Sequence, residues 1–135
     1  GSKHTDPVWD TSVSETYYPL KCDECTSGSR CKNGKCSVSL SYSEGSRWDA
    51  YEVKDKVWVG GSSKEEVVFR GGEDTSFDMV FGCQTYETGL FRTQLADGIM
   101  GMDENDITLV PVMKRQGLIN NYIFSFDPIQ HFFCF

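Results

Sequence analysis

The chain is short of positive charge: 13 Lys and Arg stand against 20 Asp and Glu, for a net charge of −7. Binding a phosphate backbone needs clustered cations. The basic pieces here, Lys32 to Lys35 and Lys114-Arg115, read as solvated surface, so no nucleic-acid partner is expected. No apolar run approaches the roughly 18 residues of a membrane-spanning helix, and no span is expected either. Histidine is nearly missing, with only His4 and His131, each in a terminal segment. That leaves a Ser–His–Asp arrangement or a histidine-rich metal site without support. No Asn-x-Ser/Thr acceptor occurs. No glycine-rich loop precedes a helix to cradle phosphate, since Gly60-Gly61 and Gly71-Gly72 read as hairpin turns, so no cofactor is expected.

What is present is enough for a core. A chain of 135 residues with 39% apolar content and 9 Phe is globular, one domain or a large piece of one. Its strongly apolar last residues imply that the natural polypeptide continues. Six cysteines carry the compartment signal. Cys22, Cys25, Cys31 and Cys36 lie close together among Ser, Gly, Asn and Lys, as in a loop stapled because it cannot build its own core. Four thiolates around zinc are the rival reading, but zinc knuckles usually use two tight Cys-x2-Cys pairs and only Cys22/Cys25 is one. Disulfides are favoured, with three connectivities open. Cys83 and Cys134 stand apart, either paired with each other or with a partner elsewhere. An extracellular or endomembrane compartment follows.

Hydrophobic periodicity gives the organisation. Residues 1–21 are a polar, Pro-punctuated, irregular lead-in, and 22–36 form the cysteine-rich loop. Val38, Leu40 and Tyr42 alternate with Ser37, Ser39, Ser41 and Ser43, the pattern of a half-buried strand. Glu44-Gly45-Ser46 supplies a turn, and Trp48 to Val59 returns, so 37–60 is a long hairpin with glycine at its tip. Strands are expected at Glu65–Arg70 and Phe77–Gly82, a loop over 84–96, and a buried strand reaching Ile99-Met100-Gly101. Acids and Asn105 precede a short helix over Ile107–Gln116, with Pro111 in its first turn and Gly117 at its end. Tyr122–Phe126 closes the reading as a strand, within a fourth region spanning 61–135 of one partial domain. The class is mainly β.

Two glycine-bearing segments carry chemistry. Tyr42-Ser43-Glu44-Gly45-Ser46 tips a hairpin that can lean over a cleft as a lid, offering backbone N–H and C=O groups to an extended peptide. Ala96-Asp97-Gly98-Ile99-Met100-Gly101-Met102 suits a strand threaded through a crowded interior. Together they resemble the flap and the Asp-Gly-Ile-Leu-Gly segment in the N-terminal lobe of pepsin-like aspartic peptidases. Phe81-Gly82-Cys83, Gly89-Leu90-Phe91 and Phe124-Ser125-Phe126 follow in the family's order. The cysteine-rich loop before the flap resembles the nepenthesin-like branch. The resemblance implies a partial N-terminal lobe with a flap hairpin, orthogonally packed sheets and one or two short helices. It also implies that Tyr42, Ser43, Glu44 and Gly45 meet an extended peptide substrate, while Leu90 and Ile99 line a side-chain pocket; the alternative for the last two is plain core. Ser43 departs from the family's usual glycine.

The carboxylates that would do chemistry are missing. Aspartic proteolysis needs two acids that share one proton and activate a water, each on an Asp-Thr/Ser-Gly turn. Asp10-Thr11-Ser12 and Asp74-Thr75-Ser76 come near, but each has Ser where Gly is required, and both read as surface. No catalytic residue and no metal ligand is therefore assigned in this chain. Two functions follow as expectations. One is a fragment of an aspartic endopeptidase that supplies flap and cleft wall and partners the rest of that enzyme. The other is a non-catalytic peptide-binding or scaffolding module of the same architecture.

Overall fold

The computed structural model describes residues 9–59, 76–94, 96–127 and 131–134. Its strands in chain order are β1 (Tyr18–Pro19), β2 (Arg30–Lys32), β3 (Lys35–Ser41), β4 (Arg47–Val57) and β5 (Phe77–Glu87). A 3-10 turn at Gly89–Arg92 follows, then the helix α1 (Leu109–Arg115), β6 (Phe124–Asp127) and β7 (His131–Cys134). The fold is mainly β, as the alternating pattern implies. The first five strands make one sheet in the order β1-β4-β3-β2, with β5 also on β4, and β6 and β7 make a separate antiparallel pair. The expected strand at Glu65–Arg70 and the turns at Gly60-Gly61 and Gly71–Asp74 lie outside the described residues.

Two compact units emerge, one from Gly1–Asp55 with Val80–Ile99 and one from Lys56–Met79 with Met100–Phe135. In the first, β3 and β4 pair antiparallel with Val38 opposite Ala50 and Leu40 opposite Trp48. Ser37 and Val38 are both half-buried in this pairing and Leu40 is 44% exposed, so the Ser/apolar alternation is only partly expressed as burial. Gly82 falls inside β5 rather than ending it. A Cβ there would sit 3.0 Å from the Ala50 Cβ, so this strand passes where only glycine fits without adjustment. The lead-in is tied down: Trp9 lies edge-on to Tyr17 at 5.6 Å and against Phe81 at 5.3 Å. Ser14 Oγ donates to Asp55 at 2.7 Å, and Thr16 Oγ1 donates to the same buried carboxylate.

The cysteine-rich loop is stapled by Cys22–Cys31 and Cys25–Cys36, with Cα–Cα distances of 4.9 and 5.2 Å. Disulfides, not zinc, therefore take the four thiols. Cys25, Cys36 and Glu52 do cluster within 4.8 Å, but both sulfurs are bonded and offer no thiolate. The loop also contains a small hairpin, β2 against β3, turned by Asn33 and Gly34 at φ 53 and 77. Glu52, 6% exposed, anchors it from β4. Its carboxylate accepts the Thr26 N–H at 3.1 Å, the Ser29 hydroxyl at 2.8 Å and the Thr26 hydroxyl. A buried carboxylate is tolerated only when its lone pairs are filled in this way.

The second unit is organised by α1. Phe77, Leu109, Val110, Val112, Met113 and Ile119 form its buried core. Pro111 sits in the first turn, where its missing N–H takes nothing from the helix. The Leu118 N–H donates to Met113 O at 3.0 Å and the Gly117 N–H to Lys114 O at 3.1 Å, the bonding of a Schellman end. The helix is shorter than the apolar run that announced it. The Thr108 hydroxyl donates to Asn105 O at 2.7 Å and holds residues before Leu109 in turns.

One expectation fails. Residues 98–102 are irregular, and Ile99 and Met100 are 59% and 49% exposed. A buried strand needs ladder partners for its N–H and C=O groups, and among the described residues no strand pairs with this segment. Nor does a close neighbour require Gly98, since a Cβ there would meet nothing within 4 Å.

Candidate functional site: the hairpin tip and its neighbouring turn

The tip of the β3–β4 hairpin is closed by its own backbone. Tyr42 N–H donates to Ser46 O at 2.8 Å and Gly45 N–H to Tyr42 O at 3.0 Å. Ser43, Glu44 and Gly45 are exposed, and Tyr42 is half-buried. The Trp48 indole N–H points at the Tyr42 hydroxyl at 3.5 Å, and the Tyr42 ring lies 5.4 Å from that of Phe91. The tip therefore turns Ser43, Glu44 and Gly45 toward solvent, with the Gly45 N–H already donated to Tyr42 O, and is backed by an aromatic pair.

Ser46, which sequence reasoning took as a turn residue only, is the pivot of the site. It is 2% exposed, and its Oγ accepts the Leu90 N–H at 3.0 Å. The Ser46 hydroxyl is also the largest influence holding the Glu44 carboxyl below its ordinary range. Next to it, Thr88 N–H donates to Arg47 O at 2.8 Å, and Arg47 N–H donates to Thr88 Oγ1 at 3.0 Å. The structure thus brings Tyr42 to Gly45 together with Leu90. Leu90 itself is 61% exposed beside buried Phe91, so it is not a core residue. Ile99 is 59% exposed, and among the described residues no backbone hydrogen bond joins it to the tip. A hydroxyl at the end of the Tyr-x-x-Gly-Ser turn was the one available signal for Ser46.

Of the two near-miss turns, only the one at Asp10 lies among the described residues. Asp10 is exposed, and its carboxyl is held low first by the Ser12 hydroxyl and then by the Ser12 amide. These bonds, 2.7 and 2.9 Å, make a local turn. Asp74 lies outside the described residues. Cys83 is a free, half-buried thiol on β5, while the side chain of Cys134 lies outside the described residues.

Four acids of this unit, three exposed and Asp49 half-buried, are held low, which sets an acid limit on its stability. Besides Asp10 and Glu44, the Lys21 N–H and then the Tyr18 hydroxyl lower Glu24, and the Ser39 hydroxyl and then Arg47 lower Asp49. A carboxyl lower in the folded than in the unfolded chain stabilises above its ordinary pKa of about 4. That contribution is lost as pH falls through the lowered values. Melting temperature is therefore expected to decline modestly between about pH 5 and pH 2.5. The slope should be shallower in Glu24→Gln. A melting temperature that stays flat or rises on acidification would contradict this assignment.

Comparison with known proteins identifies the family. The family model described as xylanase inhibitor N-terminal matches residues 2–126. Aspartic protease 5 of Toxoplasma gondii is 31% identical over 91% of this chain, and plasmepsin V of Plasmodium falciparum (isolate 3D7) is 28% identical over 73%. Aspartyl protease 37 of Oryza sativa subsp. japonica is 29% identical over 78%. The chain spans only 14%, 16% and 22% of those three proteins. With a family match running across nearly its whole length, the chain belongs to the pepsin-like aspartic peptidases and corresponds to part of their N-terminal lobe.

Proposed function

We propose that this chain supplies the flap and one cleft wall of an aspartic endopeptidase, while the carboxylates that activate water belong to polypeptide outside it. The observation that carries the reading is the junction at Ser46, which sets an exposed glycine-bearing tip beside exposed Leu90. An extended peptide lying under the tip would bond to those backbone groups of Ser43 to Gly45 that the turn does not itself use, and place a side chain on Leu90. Ile99 would join that wall only once the segment around it is paired. The rest of the peptidase is the obligatory partner. The two disulfides favour an oxidising compartment, extracellular or endomembrane.

A second reading, a non-catalytic binding module, draws on the family description, which names an inhibitor. Both readings require the tip to face a peptide. Titrating the isotopically labelled chain with a short extended peptide should move the amide resonances of Ser43, Glu44, Gly45 and Leu90 first. Shifts confined to other strands, or none at millimolar peptide, would reject both. Pepstatin-sensitive hydrolysis by the full-length protein would then separate them.

A further inference from the structure

Gly89 has the tightest surroundings of any described glycine. Its φ is +62°, and a Cβ added there would lie 2.4 Å from Ser46 Oγ and 2.9 Å from Ser46 Cα. The turn backbone is thus pressed directly onto the hairpin tip. Around that contact, hydrogen bonds cross in both directions. Leu90 N–H reaches Ser46 Oγ, Thr88 N–H reaches Arg47 O, and Arg47 N–H reaches Thr88 Oγ1. The Tyr42 and Phe91 rings close the far side at 5.4 Å. Ser46 is buried, so separating tip from turn would leave its hydroxyl and the Leu90 amide exchanging partners with water at the same moment.

We propose that the tip, residues 42–46, and the turn, residues 88–91, are latched into a single moving body, with Ser46 as its positioning residue. A hairpin lid is ordinarily pictured as swinging over a fixed wall. Here the wall travels with the lid, because Leu90 hangs by its backbone from the tip. Lid closure and the shape of the pocket at Leu90 are then one variable. A substrate side chain that fits badly against Leu90 holds the lid open, and a change at Ser46 alters selectivity without touching substrate. That consequence for substrate rests on the flap reading; the latch itself does not.

Amide hydrogen exchange on the oxidised chain tests it. In the unaltered protein the amides of Tyr42, Arg47, Thr88 and Leu90 should share one opening event, with protection factors agreeing within about threefold. Ser46→Ala removes the acceptor of Leu90 and also the hydroxyl bonded to the Glu44 carboxyl. Glu44→Ala, which removes only the second bond, is the control and should leave Leu90 unchanged. The acceptor of Tyr42 is the Ser46 carbonyl, which stays. A latch predicts that Tyr42 nevertheless speeds up with Leu90, by about tenfold in both. The β2–β3 ribbon, held by its disulfides, should not change. Gly89→Ala should give the same joint acceleration, larger in size, and Ser46→Ala decides the matter should that variant not fold. Acceleration of Leu90 alone overturns the proposal, and so does acceleration of the β2–β3 amides equal to that of the tip. Joint exchange without peptide-induced shifts at Ser43 to Gly45 would keep the latch and reject the flap reading.

Discussion

Replacing Cys25 and Cys36 together by serine is expected to lower the stability of the chain by about 3 kcal/mol. The bridge closes a loop of sequence separation 11, and removing it restores that much conformational entropy to the unfolded chain. Cys36 is also fully buried, so serine there places a hydroxyl in a space shaped for sulfur. A domain of this size should lose about 10 °C in melting temperature. The neighbouring bridge, Cys22–Cys31, overlaps the same loop, so removing both should cost less than twice as much. Glu52 gives an internal check. Its three donors, from Thr26 and Ser29, keep their acceptor only while the loop stays folded over β4. Thermal melts with and without reductant measure the effect. Equal melting temperatures would mean that the loop contributes nothing to the fold.

The sequence made some of this legible, for physical reasons that differ from place to place. The run from Ser37 to Ser43 announced the hairpin because a strand has a period of two. Pro111 and Gly117 announced α1 and its end, while the exact start was set by the Thr108 side chain bonding backwards. The β2–β3 hairpin went unseen, although Asn33-Gly34 is the strongest short hairpin signal, because close cysteine spacing invited a reading as irregular loop. The segment at Ile99 failed for a different reason. Its composition describes the crowding that a threaded strand would meet, and composition carries no information about whether the neighbouring strand is there. At the candidate site, Tyr42 and Gly45 were readable from the turn. Ser46 was not, because its role depends on a backbone contact with Gly89 more than forty residues away.

The largest effect concerns catalysis. The chain on its own is expected to leave peptides uncleaved, at least about a millionfold below the rate of a working peptidase. Every described acid that is buried already has its oxygens occupied. Glu52 holds the cysteine-rich loop, and Asp55 accepts the hydroxyls of Ser14 and Thr16. Both carboxylates hold the fold through these bonds, whereas aspartic proteolysis requires two acids that share a proton across a water. Asp10 is turned to solvent and tied into a local turn. The direct measurement is cleavage of an unstructured peptide at acid pH by the oxidised 135-residue chain, with and without pepstatin. The predicted result is no product above the buffer control under either condition. Pepstatin-sensitive product that disappears in Asp10→Asn would contradict the account at its centre.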